Sequence, residues 1–227
     1  MRFALLVAAG AILLSGVAPA ATHNHDTKPQ VLAPGYAPLE FVAPKPGSYA
    51  LPPLGNAADG LVLDAEGKTL RLHQLLGDKV VVLSFIYTTC NDVNGCPLAT
   101  HVLRGVQDRA ITAELSNQVR LVSLSFDPSH DTPAVMKTYG GHFKSDDLDW
   151  QFVTCRSERE LEPILESYDQ WVLRDRDAEG NDLGTLSHIL RVFLIDTDRR
   201  IRNIYSTSFL HADTVLNDVR TLLMESE

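Results

Sequence analysis

Residues 80–97 read VVVLSFIYTTCNDVNGCP, an apolar run that leads into a loop with two cysteines. The run from Val80 to Ile86 is typical of a strand buried on both faces. Cys96 is followed by Pro97, a residue favoured at the first position of a helix. The Cys96 sulfur is therefore expected beside the positive end of a helix, where a thiol ionises more readily. Because a thiolate is both a nucleophile and a metal ligand, the stretch with Cys90 and Cys96 predicts a redox or metal site.

The first twenty residues are typical of an exported protein. Arg2 precedes an apolar run over residues 3–17, and Ala18-Pro19-Ala20 matches the small-x-small pattern of a signal peptidase site. This predicts a signal peptide over residues 1–20 and a periplasmic location. Because the apolar run is short for a membrane-spanning helix, we expect the leader to be cleaved rather than retained as an N-terminal membrane anchor.

The charge of the chain limits its partners. The sequence has 29 Asp+Glu against 20 Lys+Arg, and one of those cations, Arg2, lies in the predicted leader. An acidic protein of this kind is not expected to bind nucleic acid or an anionic membrane surface. Membrane contact is expected only if the leader is retained.

Proline and cysteine positions divide the chain further. Seven of the twelve prolines lie between Pro29 and Pro53, which predicts a Pro-rich tether and lead-in over residues 21–53 and a domain over residues 54–227. Three cysteines in an exported chain leave one unpaired, whichever disulfide forms. The close pair is the natural disulfide, and Cys155 is expected to be a small buried apolar residue.

Hydrophobic periodicity predicts alternating strands and helices. The predicted elements are a hairpin over 61–70, a strand over 80–86, a helix over 97–115, a strand over 119–126, a helix over 133–143, a strand over 151–154, a helix over 157–168, an antiparallel pair over 189–195 and 201–205, and a final amphipathic helix over 215–223. This order predicts an α/β fold, a thioredoxin-like sandwich whose central mixed sheet is flanked by helices. Sites in such sheets lie at the carboxyl ends of the strands, where Cys90 is placed.

The chain resembles the Sco/SenC family of thioredoxin-fold copper proteins from about Leu54 to its C-terminus. The resemblance is carried by the aromatic strand end, the cysteine loop, a DPxxDTP segment and a histidine before a strand of the form FLID. Here these are residues 85–87, CNDVNGCP at 90–97, DPSHDTP at 127–133, and Ser187-His188 before FLID at 193–196. The resemblance implies that Cys90, Cys96 and His188 bind copper, and that the protein assists assembly of the binuclear copper centre of cytochrome oxidase.

One feature departs from the family pattern. The loop has five residues between its cysteines instead of three, with Asn94-Gly95 as the apparent insertion and Asn91 in place of a proline. An Asn-Gly pair readily forms a positive-φ turn, so the extra residues are expected to bulge and leave the sulfurs close together. Two thiolates and an imidazole suit copper(I) by softness and also accept copper(II), whereas zinc usually takes a fourth ligand.

Four functions compete. The first is an exported copper metallochaperone whose partner is a cytochrome oxidase copper-site subunit or another periplasmic copper or thiol protein. The second is a periplasmic thiol-disulfide oxidoreductase with Cys90 and Cys96 as a redox-active catalytic pair, Cys90 attacking and Cys96 resolving. A thiol peroxidase is disfavoured, since Leu83 and Tyr87 occupy the positions of the usual proline and threonine. A non-catalytic binding protein is the fourth.

Residues around the predicted site are assigned as follows. Asp131 and Thr132 are expected to cap the helix that begins at Pro133, and Asp127 is expected to form a turn. Phe85, Tyr87 and Asp92 are candidates for side chains that shield the site from solvent or tune its donors.

Overall fold

The computed structural model describes Tyr36 and residues 39–225. The predicted signal peptide and most of the predicted tether lie outside the described residues. Within the described part of the chain, no helix is both long enough and apolar enough to cross a bilayer.

The described residues form ten strands, four α-helices and two short 3-10 helices. The strands are β1 (Gly55–Asn56), β2 (Leu61–Leu63), β3 (Thr69–Arg71), β4 (Val80–Ile86), β5 (Val119–Ser125), β6 (Trp150–Val153), β7 (Val172–Arg176), β8 (Asp182–His188), β9 (Val192–Ile195) and β10 (Arg200–Tyr205). The helices are α1 (Cys96–Thr112), α2 (Pro133–Gly141), α3 (Glu158–Ser167) and α4 (Ala212–Glu225), and the 3-10 helices span Leu72–Gln74 and Thr207–Phe209.

A six-stranded mixed sheet in the order β1-β10-β9-β4-β5-β6 forms the centre of the fold. Strand β4 pairs in parallel with β5 and antiparallel with β9, and β6 extends the sheet in parallel beyond β5. Helix α1 connects β4 to β5, and α2 connects β5 to β6. The predicted α/β architecture with a central mixed sheet is confirmed.

Burial explains why the central strands were predicted well. All seven residues of β4 and all seven of β5 are buried, and the apolar run of β4 is interrupted only by Ser84, whereas β5 also contains Arg120, Ser123 and Ser125. Two serines inside these strands satisfy one another. Ser84 Oγ lies 3.0 Å from Ser123 Oγ, which also accepts a hydrogen bond of 3.1 Å from Trp150 Nε1.

The hairpin of β7 and β8 was not predicted. It forms a two-stranded sheet of its own, outside the central sheet. Its residues are mostly polar and more exposed than those of the central strands, so they carry no apolar alternation that would indicate a strand. His188 is the last residue of β8. The next strand of the central sheet begins at Val192 rather than at the predicted residue 189.

The helix starts follow the capping residues in the sequence. Helix α1 begins at Cys96, one residue before the predicted Pro97. Thr132 caps α2 by accepting a hydrogen bond from the backbone N–H of Val135, and Ser157 caps α3 in the same way through the N–H of Glu160.

The lead-in before β1 is irregular but packs onto α4. The side chain of Asn217 donates a hydrogen bond of 3.0 Å to the carbonyl of Pro44, and Tyr49 Oη donates one of 2.5 Å to Asp218 Oδ1. Leu51 is buried, and its carbonyl accepts a hydrogen bond from Arg202. Residues 44–51 are therefore attached to the domain.

Replacement of Asp218 tests the buried hydrogen-bond cluster that Tyr49 of the lead-in joins. Asp218 is buried and also accepts hydrogen bonds from Tyr205 Oη at 2.6 Å and Asn203 Nδ2 at 2.9 Å, so Asp218→Ala leaves three donors without their acceptor. We expect the free energy of unfolding to fall by about 3 kcal/mol. Chemical denaturation measures it, with the exposed Asp213→Ala as control, where less than about 1 kcal/mol is expected. Equal losses in both variants would contradict the assignment.

Candidate metal centre

Strand direction brings three separate segments to one edge of the sheet. Cys90 follows the carboxyl end of β4, and residues 127–133, the DPSHDTP segment, follow the carboxyl end of β5. Since β4 and β5 are parallel, both segments emerge at the same edge. His188 comes shortly before β9, which runs antiparallel to β4, so it approaches this edge from the opposite chain direction.

Cys90, Cys96 and His188 form a compact donor cluster. One sulfur or nitrogen atom from each residue lies within 4.8 Å of the others, and Cys96 Sγ is 3.4 Å from His188 Nε2. All three cysteines of the chain are free thiols, so the Cys90–Cys96 pair expected to form a disulfide is reduced in this structure. Cys96 is buried, whereas Cys90 and His188 are half-buried. The three donors predicted from sequence therefore meet around one ion-sized space that is reachable from solvent.

The five-residue loop keeps the two sulfurs close by forming a turn, but Asn94 and Gly95 do not have the positive φ that was expected of them, since φ of Gly95 is −98°. The side chain of Asp92 accepts a hydrogen bond from the N–H of Asn94, and its carbonyl accepts one of 2.9 Å from the N–H of Gly95. A Cβ at Gly95 would lie only 3.2 Å from His188 Nε2 and 3.2 Å from Asp92 Oδ2. The absence of a side chain at Gly95 thus lets the loop pass directly beside the imidazole.

The His188 ring is oriented by its second nitrogen and by two aromatic rings. Nδ1 lies 3.0 Å from the carbonyl oxygen of Leu186. Because a carbonyl can only accept, this contact assigns the proton to Nδ1 and leaves the lone pair of Nε2 facing the cysteines. The ring centroid is 5.6 Å from that of Tyr87 and 5.0 Å from that of Phe126.

The aromatic neighbours differ in part from those expected. Tyr87 lies at the site as predicted, and Asp92 shapes the loop. Phe85 instead packs in the core, 5.3 Å from Tyr168 and 5.8 Å from Phe193 between ring centroids. Phe126 was missed, although its position just before the DPSHDTP segment placed it at the carboxyl end of a predicted strand.

The two cysteines differ sharply in acidity. Hydrogen bonding from Cys96, with a further contribution from His188, lowers the pKa of Cys90 to about 4, although burial opposes this shift. Burial raises the pKa of Cys96, and the charge on Cys90 adds to that effect. The expectation that Cys96 ionises readily beside the helix end is therefore wrong. Cys90 carries the thiolate, and Cys96 is its buried thiol partner.

The neighbouring groups respond to the Cys90 charge. Burial, followed by that charge, raises the pKa of Tyr87 to about 12, so its hydroxyl stays protonated. For His188, burial lowers the pKa, but hydrogen bonding to Cys90 and to the carbonyl of Leu186 outweighs it and raises the pKa overall.

Asp131 has a different role from the helix cap that was expected. Its side chain is completely buried and accepts hydrogen bonds from Ser125 Oγ at 2.6 Å and from Thr88 through its N–H at 3.0 Å and its hydroxyl at 2.5 Å. Thr132 alone caps α2. Asp131 therefore joins the start of the cysteine loop to the end of β5. This contact between distant segments has no local signal in the sequence.

Asp127 forms the expected turn and one further contact. Its carbonyl accepts hydrogen bonds from the N–H groups of His130 and Asp131 at 3.1 and 2.8 Å. Its carboxylate accepts a hydrogen bond of 2.8 Å from Ser129 Oγ and lies 3.3 Å from Arg174 Nη2.

Cys155 lies in a separate environment. It is buried, and its thiol contacts the carbonyl of Leu61 at 3.4 Å. Burial raises its pKa to about 12. Cys155 thus has the properties of the small apolar residue that the sequence predicted.

Comparison with known proteins identifies the family of this chain. Residues 61–224, well over half of the sequence, match the SCO1/SenC family model. The chain belongs to the SCO1/SenC family. A SCO1 protein homolog from Bacillus subtilis is 27% identical over 158 residues, which cover 69% of this chain and 77% of the relative.

Solved structures share the fold of this SCO1/SenC protein. Arabidopsis thaliana ScoI, solved with copper bound, has a TM-score of 0.62 and 21% identity over 74% of this chain and 98% of its own. BsSco, a member of the Sco family of cytochrome c oxidase assembly proteins in which a disulfide switch has been identified, has a TM-score of 0.60 and 24% identity over 77% and 98% of the two chains. At these identities the likeness establishes a common fold.

Removal of the Asp131 carboxylate tests its structural role. Asp131→Ala leaves the two Thr88 donors and the Ser125 hydroxyl without their buried acceptor. We expect the free energy of unfolding, measured by chemical denaturation, to fall by about 3 kcal/mol. The exposed Asp146→Ala serves as control and is expected to change stability by less than about 0.5 kcal/mol. A loss as small as that of the control would refute this role.

The acidity of Cys90 predicts the pH dependence of its alkylation. A lowered pKa means that the thiolate predominates at every pH above about 4, so the rate with iodoacetamide is expected to stay nearly constant from pH 8 to pH 6 and to fall only near pH 4. Mass spectrometry of the peptides after short exposure measures the rate at each cysteine. Cys96 and Cys155, whose pKa values are raised, are the internal controls and should react more slowly. A Cys90 rate that drops about tenfold per pH unit below pH 8 would refute the assignment.

Proposed function

We propose that this SCO1/SenC protein is an exported copper metallochaperone that assists assembly of the copper centre of cytochrome c oxidase. The observation that carries the proposal is the convergence of Cys90, Cys96 and His188, whose donor atoms lie within 4.8 Å of one another. Family membership supports it, as do the copper-bound ScoI structure and the assembly function of the BsSco family.

The donor set fits copper better than the other common ions. Two sulfur ligands favour a soft ion such as copper(I), and an imidazole nitrogen is also a good copper ligand. A structural zinc site would need a fourth protein ligand. Among the described residues, the cluster of potential metal ligands contains three.

Each donor has a defined protonation state when copper arrives. Cys90 is already a thiolate at neutral pH, so it can take the ion without first losing a proton. Cys96 releases its proton when it ligates. In its neutral form His188 presents the Nε2 lone pair while Nδ1–H donates to the Leu186 carbonyl, and because its pKa is raised, the charged form of the ring must first lose the Nε2 proton. With three protein donors, the ion stays accessible to a donor from an acceptor protein, which then removes it by ligand exchange.

The proposed partner is the copper-site subunit of cytochrome oxidase or another periplasmic copper or thiol protein. The predicted leader supports a periplasmic location, where such a partner is reached directly. The acidic net charge supports a protein partner over nucleic acid.

The acidity difference between the cysteines favours a second candidate function, thiol-disulfide exchange. Cys90 is a half-buried thiolate, and the Cys96 thiol lies within 4.8 Å of it behind the surface. Cys90 would attack a partner disulfide and form a mixed disulfide, and Cys96 would then displace the second partner thiol and close the Cys90–Cys96 bond. Two electrons pass to the partner, and a reductant must later restore the pair.

Copper titration of a His188 variant distinguishes the two functions. We expect the reduced protein to bind one copper(I) tightly, and His188→Ala to weaken binding about 100-fold, because one of three ligands is lost. Competition with a chromophoric copper(I) chelator measures the affinity. The control is His142→Ala, an exposed histidine at the end of α2. If the His188 variant binds copper(I) as the control does but still forms mixed disulfides with a partner peptide, the copper function is refuted in favour of exchange.

A further inference from the structure

The ligand His188 lies on a part of the fold that is not built into the central sheet. Strands β7 and β8 pair only with each other in the described sheets, and His188 is the last residue of β8. Both cysteines, in contrast, are attached to the buried strand β4 and the helix α1. The distance between the imidazole and the sulfurs therefore depends on how the hairpin is held against the domain.

The Arg174 guanidinium makes such an attachment. Arg174 lies on β7, and its Nη2 atom donates hydrogen bonds to Glu158 Oε1 at 2.5 Å, Ser129 Oγ at 3.1 Å and Asp127 Oδ1 at 3.3 Å. Asp127 and Ser129 belong to the DPSHDTP segment, and Glu158 begins α3. One side chain of the hairpin thus joins two elements of the domain.

The strand register connects Arg174 to His188. Arg174 pairs with Leu186 across the hairpin, and Val172 pairs with His188. The Leu186 carbonyl is the group that accepts the hydrogen bond from His188 Nδ1. A contact that fixes Arg174 therefore also fixes the strand pair that orients the imidazole.

The surroundings of Arg174 make this contact stronger than an exposed ion pair. The side chain of Arg174 is 30% exposed and that of Asp127 is 11% exposed, so solvent screens their attraction less than at a fully exposed site. Asp127 is itself held by two hydrogen bonds. Its carboxylate accepts one from the Ser129 hydroxyl, and its backbone N–H donates one to Ser125 Oγ. The planar guanidinium can contact several acceptors at once, which a lysine ammonium on its flexible stem does less well.

We infer that Arg174 is a positioning residue for copper binding: by bonding to Asp127, Ser129 and Glu158, it holds the β7–β8 hairpin where His188 faces the two cysteines. This inference rests on the proposed copper function. Arg174 acts through His188 and does not touch the ion.

The first test compares two arginines of the same strand. Arg174→Met keeps the length of the side chain but removes its hydrogen bonds, and we expect copper(I) affinity to fall about tenfold, the lower end of the effect of outer-sphere partners. Arg176→Met is the matched control, because Arg176 is exposed and bonds to the Gly180 carbonyl within its own hairpin. Its copper(I) affinity should stay within about twofold of the unmodified protein.

The second test asks whether Arg174 acts through His188. In a His188→Ala background, Arg174→Met should weaken copper(I) binding no further, because the ligand that it positions is absent. Arg174→Lys should recover part of the affinity, since an ammonium can still pair with one of the carboxylates. The iodoacetamide rate at Cys90 in the His188→Ala background should be unaffected by Arg174→Met, whereas general loosening of the domain would change it.

The outcomes separate the inference from the function on which it rests. An Arg174→Met affinity within about twofold of the unmodified protein overturns the inference, as does an equal loss in the presence and absence of His188. If the unmodified protein itself binds no copper(I), or if His188→Ala has no effect, it is the proposed function that fails.

Discussion

The site depends on the pairing of β4 with β5 on one side and with β9 on the other. Parallel pairing with β5 sends the cysteine loop and the DPSHDTP segment out at one edge of the sheet, and antiparallel pairing with β9 brings the chain from His188 back to that edge. The interior positions of β4 are entirely apolar apart from Ser84, whose hydroxyl finds Ser123. A one-residue change in register would separate the buried Ser84 hydroxyl from Ser123, so this polar pair favours the observed register, and the register holds the donors in place.

Burial then separates the two thiols chemically. Cys96 sits at the first turn of α1, but it is enclosed by the core, and the loss of solvation outweighs the positive helix end. Cys90 lies on the half-exposed loop and accepts hydrogen bonds that stabilise its charge. The same asymmetry suits both candidate functions, because a copper carrier needs one ligand ready and an exchange protein needs one attacking thiolate. The imidazole nitrogen, 3.4 Å from Cys96 Sγ, adds a third potential metal donor and also helps to stabilise the Cys90 thiolate.

Sequence reasoning succeeded where the physical cause is local. Strand β4 was predicted with its observed bounds because its seven residues form a continuous apolar run, and Thr132 and Ser157 were recognisable as cap or start residues. Cys90 and Cys96 were predicted from the local pattern of strand, loop and helix start, whereas His188 was found only through the family resemblance, since nothing local connects it with cysteines ninety residues away. Sequence reasoning failed where tertiary burial decides. The acidity of Cys96, the buried carboxylate of Asp131 and the polar β7–β8 hairpin all depend on neighbours that are distant in the sequence.

The widened cysteine loop changes the constraint on copper without removing it. A longer loop has more conformations to lose when the sulfurs are brought together. Here the turn at Asp92 fixes part of the loop before any ion is present, and Gly95 lets it pass beside the imidazole. In the proposed copper site, two of the donors are thus held by a preformed turn and a helix, while the third lies at the end of a separate hairpin. Because the hairpin is not paired with the central sheet among the described strands, the position of the imidazole relative to the sulfurs depends on side-chain contacts such as those of Arg174 rather than on the pairing of β4.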